Sequence, residues 1–349
     1  MNYLNNKTVR SSNIELLRIL AMLMIIGLHY WGAGVSTIAE NNSNRLIYNL
    51  SESICICGVN LFVIITSWFS VEQNKINFEK IVKLLIEVAF WGIVSLFLGY
   101  LMGWQTIDIT MMVKVTIPYF WKSRWFVEAY VILIMLIPFI NAGLRTINKS
   151  QHGFLLAITF SLFILWPSFL PNPPIDDFGY GFVHFISLYI LVSYIKRFLN
   201  RLPSKLICLI FFCASVVLVF WQSWYNIATC WMYNNIFVVL EAVFLFLFFV
   251  QLNVKSQSIN TLASVSFGVF LIHSDRLFFG KLIYENIFHA DFYAQGPMIK
   301  LIINFILCLP IFYFGCFMLE SIRIIFFKYT IYRMLKNIRL LKTITIFEK

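Results

Sequence analysis

The sequence predicts an all-α integral membrane protein of about ten transmembrane helices with both termini cytoplasmic. Three observations carry this expectation. Of the 349 residues 60% are hydrophobic and only 12% are charged, against about 45–50% and 25% in soluble domains. The apolar residues gather into runs close to the roughly 20 residues that a spanning helix needs. Lys and Arg, finally, divide unevenly between alternate connections, as membrane orientation demands. An aromatic content of 18% excludes a disordered or fibrous chain.

Ten apolar segments can be marked, at about 13–33, 46–69, 78–102, 125–144, 153–170, 180–199, 206–224, 231–250, 259–279 and 298–322. The first resembles the core of a signal peptide, but it carries Glu15 and Arg18 and no small-residue cleavage site follows, so it is expected to be a retained helix. Between the third and fourth segments, "ITMMVKVTIPYFW" is apolar yet too short to span, and it is expected in the interface or re-entering the membrane. The stretch "PNPPIDDFGYG", with Asp176 and Asp177, reads as a solvated proline-rich turn. The ninth segment is the weakest, because "LASVSFGVFLIHSDRLFF" carries charge at its outer end. No fixed-period repeat or linker divides the chain. The expected organisation is therefore a cytoplasmic N-terminus (1–12), one transmembrane domain (13–325) and a basic amphipathic cytoplasmic tail (326–349) lying along anionic lipid.

With the N-terminus inside, 19 basic residues fall on the cytoplasmic side and 7 opposite, with Arg18 inside a helix. The net charge of +11 thus reports orientation in a membrane, and no nucleic-acid partner is expected. The seven Cys contain no CxxC pair and read as small buried hydrophobes rather than a disulfide or zinc framework. There is no Gly-rich phosphate loop, no GxSxG elbow and no metal-ligand spacing, which argues against a nucleotide-driven pump and a Ser hydrolase.

A charge at the bilayer centre costs about 2.5–3.5 kcal/mol on insertion scales, so charges inside apolar segments need a reason. The first helix carries Glu15, Arg18 and His29. The eleven steps from Arg18 to His29 overshoot three full turns by only about 20°, which puts both on one face about 16 Å apart. Glu15, three residues before Arg18, borders that stripe. Mutual neutralisation of Glu15 and Arg18, with His29 snorkelling to the interface, is the alternative. His273 and His184 fall at the level of His29, although lone membrane histidines are more often packing residues. Glu241, near the middle of the eighth segment, requires a partner or a proton. Glu87 has Lys83 four residues earlier and is expected to pair with it. His152 and His289 are placed in loops.

At these residues the chain resembles the acyltransferase 3 family of bacterial membrane proteins. "NIELLRILAMLMIIGLHYW" is similar to that family's opening helix, whose Arg, ten residues and His are matched by Arg18 and His29. "GVNLFVIITSWFS" resembles its "FFxISGF" segment, "SRWFVEAYVILIMLIPFIN" its "WFL" helix, and "SFGVFLIH" its late "SxGxYLxH" segment. The four come in the family's order. Thr66 and Ser67 stand where Ser-Gly is usual, and Lys83 where Arg is common.

The resemblance implies a ten-helix enzyme that moves an acyl group, usually acetyl from cytoplasmic acetyl-CoA, to a hydroxyl of an extracytoplasmic or lipid-linked glycan. His29 is then the expected general base, Arg18 the group that positions the donor, and Glu15 the residue that orients Arg18. Trp125, His273, Asn60 and Glu241 are the substrate-binding candidates, and Lys83 joins Arg18 on the donor, within a basic inner face that attracts coenzyme A phosphates or anionic lipid. Expected partners are acetyl-CoA as donor substrate, a glycan or undecaprenyl-linked oligosaccharide as acceptor, and membrane lipid in a bacterial plasma membrane. No permanently bound cofactor or metal is expected, and a homo-oligomer is compatible with the reading. A lipid-glycan transporter or flippase, and a non-catalytic scaffold in glycan assembly, remain open alternatives.

Overall fold

The computed structural model describes residues 11–35, 43–117, 124–170, 173, 177–331 and 344–345. Among these, seven helical stretches are long and apolar enough to cross a membrane. They comprise α1 (Ser12–Gly34), α2 with α3 (Arg45–Cys55 and Gly58–Ser70), α4 (Phe78–Leu101), α6 (Trp125–Thr146), α7 (Lys149–Phe160) continuing through a π-helical turn into α8 (Trp166–Phe169), α10 (Lys205–Trp224) and α15 (Met298–Tyr329). The other three expected spans are shorter. α9 (Phe182–Phe198) has 17 residues and α11 (Ile236–Val250) has 15. The segment expected at 259–279 is two short helices, α12 (Gln257–Ala263) and α13 (Ser266–His273).

Local chemistry explains these boundaries. Side chains cap the starts of several helices: Asn77 accepts from the Lys80 amide, Ser204 from Ile207, and Asn148 with Gln151 forms a reciprocal capping box. The break between α12 and α13 falls where Ser264 donates to the Thr261 carbonyl and Ser266 to that of Ala263, hydroxyl bonds that compete with the helical ladder. α15 runs without interruption past the expected tail boundary to Tyr329. Residues 332–343 and 346–349 of the tail lie outside the described residues. Within it, Ile344–Thr345 (β2) pairs antiparallel with Lys75–Ile76 (β1), Thr345 opposite Lys75.

α1 is the axis of the bundle. Leu17, Ala21 and Ile25 join one apolar cluster with residues of α3, α6, α9 and α11. Met22, Ile26, Tyr30 and Trp31 join a second with residues of α4, α13 and α15. An apolar helix buried on both sides is interior rather than lipid-facing. Close approach is set by small residues: a Cβ on Gly58 would meet the Ala21 carbonyl at 3.0 Å, and one on Gly27 would meet Cys55 Sγ at 3.0 Å. By contrast α10 and α15 expose large apolar side chains, among them Phe211, Val217, Ile303 and Phe314, as lipid-facing helices do.

α5 (Ile109–Thr116), the short apolar segment of the sequence, starts on an Asp108 cap and lies against α4. Gly92 permits this, since a Cβ there would sit 2.6 Å from the Val115 carbonyl.

One expected ion pair is replaced. Lys83 Nζ bonds Glu79 at 2.5 Å, while Glu87 pairs with Arg323 at 3.2 Å. Arg323 also grips Glu320 through Nε and a terminal nitrogen, and the Trp91 indole donates to Glu320 at 2.9 Å. A buried arginine offers a more complete compensation than a half-exposed intrahelical lysine. His152, expected in a loop, is buried in α7 and contacts the Ile190 carbonyl at 3.2 Å.

Candidate active site

The face foreseen on α1 is the face that lines the interior cavities. Arg18, Met22 and Ile25 line a cavity of about 240 Å³, and Ile25 and His29 line a second of about 530 Å³. Spacings of four, three and four residues keep these side chains in one stripe. The two cavities share Ile25, Phe126 and Phe270, and the rings of Phe126 and Phe270 lie 5.2 Å apart. These three residues form an apolar septum between an Arg18 chamber and a His29 chamber.

His29 is not alone. Its Nδ1 lies 3.0 Å from the Ile25 carbonyl and 3.2 Å from Nε2 of His273. The rings meet edge to face with centroids 4.9 Å apart. His273 Nδ1 lies 2.7 Å from the Val269 carbonyl, the i−4 position of α13. A carbonyl only accepts, so in the neutral pair His273 carries its proton on Nδ1 and presents Nε2 as an acceptor. His29 then donates from Nδ1, shared between His273 Nε2 and the Ile25 carbonyl. Its own Nε2 keeps a lone pair. The pair thus fixes the tautomer that leaves a basic nitrogen on the ring lining the larger cavity.

Arg18 donates to Glu15 at 2.8 Å, and the hydroxyl-bearing residues Thr66, Tyr130, Ser264 and Ser266 line the chamber beside it. Trp125 lines the His29 chamber from the start of α6, stacked on Tyr233 at 5.5 Å and edge-on to Tyr180 at 4.5 Å. Asn60 is one layer behind. It donates to the Tyr233 carbonyl at 2.8 Å and accepts from His184 Nε2 at 2.9 Å, so both residues hold the backbone of a wall residue. Glu241 is fully buried in α11 and lines neither chamber. Lys83 lines neither chamber.

Four wall residues escaped the sequence reading as site residues. Lys114 of α5, Arg124 before α6, and Asp275 and Arg276 after α13 all line the His29 chamber. Asp275 accepts from the Ser95 hydroxyl and from the amides of Phe278 and Phe279 at 2.9 and 3.2 Å, with Arg124 3.8 Å away. Asp275 and Arg276 follow the "SFGVFLIH" segment after Ser274, and that segment is the one signal that pointed toward them. Among the described residues no group of three His, Cys, Asp or Glu side chains is placed to hold a metal ion.

The bundle of apolar helices thus holds a histidine pair, two adjoining cavities and an arginine on one stripe of α1. The chain belongs to the acyltransferase 3 family: the family model, described as an acyltransferase domain, matches residues 11–321. It is a multi-pass membrane acyltransferase. No curated protein and no solved structure gives a significant match to the chain.

Proposed function

We propose that the chain is an O-acyltransferase that moves an acyl group, acetyl from acetyl-CoA, to a hydroxyl of a cell-surface polysaccharide or a lipid-linked glycan precursor at a bacterial plasma membrane. The observation that carries the reading is His29, which lines one chamber and is backed by His273 behind that wall, with a chamber holding Arg18 beyond a single septum. Acyl transfer from a thioester needs a base at the acceptor oxygen, and a neutral imidazole serves at working pH.

In this reading His29 Nε2 removes the proton of the acceptor hydroxyl as its oxygen attacks the thioester carbon. The tetrahedral adduct collapses, the carbon–sulfur bond breaks, and the departing thiolate takes the proton back from the imidazolium. His273 holds the tautomer throughout. Arg18, oriented by Glu15, binds the pantetheine or phosphate part of the donor from its own chamber. The separation of about 16 Å along α1 is too long for Arg18 and His29 to reach one carbonyl but suits a long, thin donor arm. Trp125 offers an aromatic wall to the acceptor, and Asn60 acts at one remove by holding Tyr233.

The topology that goes with this is ten spans with both termini cytoplasmic. Its support is the 19 to 7 division of basic residues and the overlap of α9, α11 and the α12–α13 pair with the segments marked at 180–199, 231–250 and 259–279. The Arg18 chamber is then the cytoplasmic one. Mass spectrometry of the surface glycan with and without the chain tests the function. The expected result is an acyl ester present only with the chain. An unaltered glycan alongside chain-dependent movement of a lipid-linked glycan would favour a transporter.

A further inference from the structure

A third cavity, of about 290 Å³, opens between the start of α2 and the end of α10 and shares no lining residue with either chamber. Its volume is near the lower end of small-ligand pockets, roughly 300 Å³. Arg45, Tyr48 and Asn49 line it from α2, at the spacing that puts three side chains on one helix face. Ser223 lines it from the last turn of α10, and Trp231 from the chain that leads into α11. Because α10 packs along α2, the fold itself brings these residues together.

The lining sets aromatic rings beside planar polar groups. Trp231 and Tyr48 lie with ring centroids 6.2 Å apart at 61°. Arg45 donates to the Trp224 carbonyl and to Asn226 Oδ1, both at 2.9 Å, so its guanidinium is fixed at the cavity wall. Asn49 is 3% exposed, and its amide nitrogen has no hydrogen-bond partner among the described residues. A buried donor without an acceptor is destabilising, and a ligand oxygen supplies what it lacks. A sugar offers the matching chemistry. The C–H face of its ring lies against an aromatic side chain, and the hydroxyls on its rim bond amide and guanidinium groups.

This cavity adjoins the His29 chamber. Trp231 lines the first and Tyr233 the second, and two residues of chain span at most about 7 Å. Glu52, the next turn of the same α2 face, is buried within electrostatic reach of Tyr48 and Cys230 on one side and of Tyr233 on the other. In the ten-span topology proposed above, Arg45 and the connection from α10 to α11 both fall on the outer side, as does the His29 end of α1.

Resting on the acyltransferase reading above, we infer that the acceptor is an elongated glycan held at two places. One sugar presents its hydroxyl to His29. A neighbouring sugar of the same chain lies against Trp231 and Tyr48 and accepts a hydrogen bond from Asn49. A single sugar fills only the first place, so the third cavity selects for chain length.

Retention of glycan fragments by the full-length protein in lipid nanodiscs tests this without any transfer step. The probe is the surface glycan of cells lacking the chain, partially hydrolysed, separated by length and read by mass spectrometry. Fragments of two or more sugars are expected to be retained at least tenfold more than the single sugar. Asn49→Leu, which fills the buried site without an amide, should weaken the longer fragments about 2- to 13-fold. Trp231→Ala should bring them down toward the single sugar, and Trp231→Phe, which keeps an aromatic face, should restore part of the difference. An unchanged melting temperature in detergent shows that each variant folds. Equal retention of single sugar and longer fragments, retention of no fragment, or a length dependence unchanged in folded Asn49→Leu and Trp231→Ala overturns the inference. So does loss of bound anionic lipid in these variants with fragment retention intact, which assigns the cavity to a lipid headgroup. His29→Ala is expected to keep the length dependence while losing transfer. Failure of the acyltransferase reading leaves the glycan unaltered by the chain while longer fragments are still preferred, whereas failure of this inference leaves acylation intact and the preference absent.

Discussion

Replacing His273 by Phe tests whether the second histidine acts through the first. In the wild type the Nδ1 proton of His29 is shared between the Ile25 carbonyl at 3.0 Å and His273 Nε2 at 3.2 Å. The Phe side chain fills the buried site but accepts no hydrogen bond, leaving the carbonyl as the only anchor for that proton. A net intramolecular hydrogen bond contributes about 0.5–1.5 kcal/mol. Because Ile25 remains, the loss is one such bond rather than the whole preference for the base-ready tautomer, and kcat is expected to fall about 2- to 13-fold. Purified protein in nanodiscs, assayed for release of free thiol from an acyl-CoA in the presence of acceptor, gives kcat and both KM values. The KM for the donor should stay unchanged, since His273 does not line the Arg18 chamber. His273→Gln, whose carbonyl oxygen can accept from His29, should recover part of kcat. A kcat unchanged in His273→Phe refutes the positioning role. Loss as complete as in His29→Ala, in folded protein, makes His273 itself the base.

Three other outcomes are expected. Arg18→Lys keeps the charge but loses the planar fork, and should raise the donor KM with little effect on the acceptor KM; unchanged donor kinetics place Arg18 outside donor binding. Phe270→Trp enlarges the septum ring between the chambers and should lower transfer while acetyl-CoA binding persists, whereas wild-type turnover means that nothing passes there. Arg323→Gln leaves Glu87 and Glu320 without their shared cation and should destabilise the fold by about 3–5 kcal/mol, read as a lower melting temperature in detergent. An unchanged melt removes the pair network as a structural element.

Much of the fold was legible because burial in a membrane is written in composition. Each of the ten marked segments contains helix among the described residues, and the stripe Arg18, Met22, Ile25, His29 follows from helical spacing alone. What hydropathy does not record is local competition for backbone bonds, which is why the break at Ser264 and the shortness of α13 were not foreseen. Partner choice was equally hidden. Lys83 and Glu87 have ideal spacing, yet Arg323, distant in sequence, takes Glu87. Lys114 and Arg124, in one connection, and Arg276, at the outer end of the ninth segment, count in the sequence only toward orientation until the fold brings them to the His29 chamber. Asn60 and His184 belonged to the site only as supports of Tyr233, a role no linear motif expresses.

The central claim is that His29 is the base of an acyl transfer, and a single comparison tests it most directly. Cells making His29→Ala at wild-type membrane level are compared with wild type by mass spectrometry of the surface glycan. A general base contributes about 10²–10⁴ in rate, so the acyl ester should fall below detection in the variant. Acylation at the wild-type level would contradict the account and leave His29 as a packing residue beside His273.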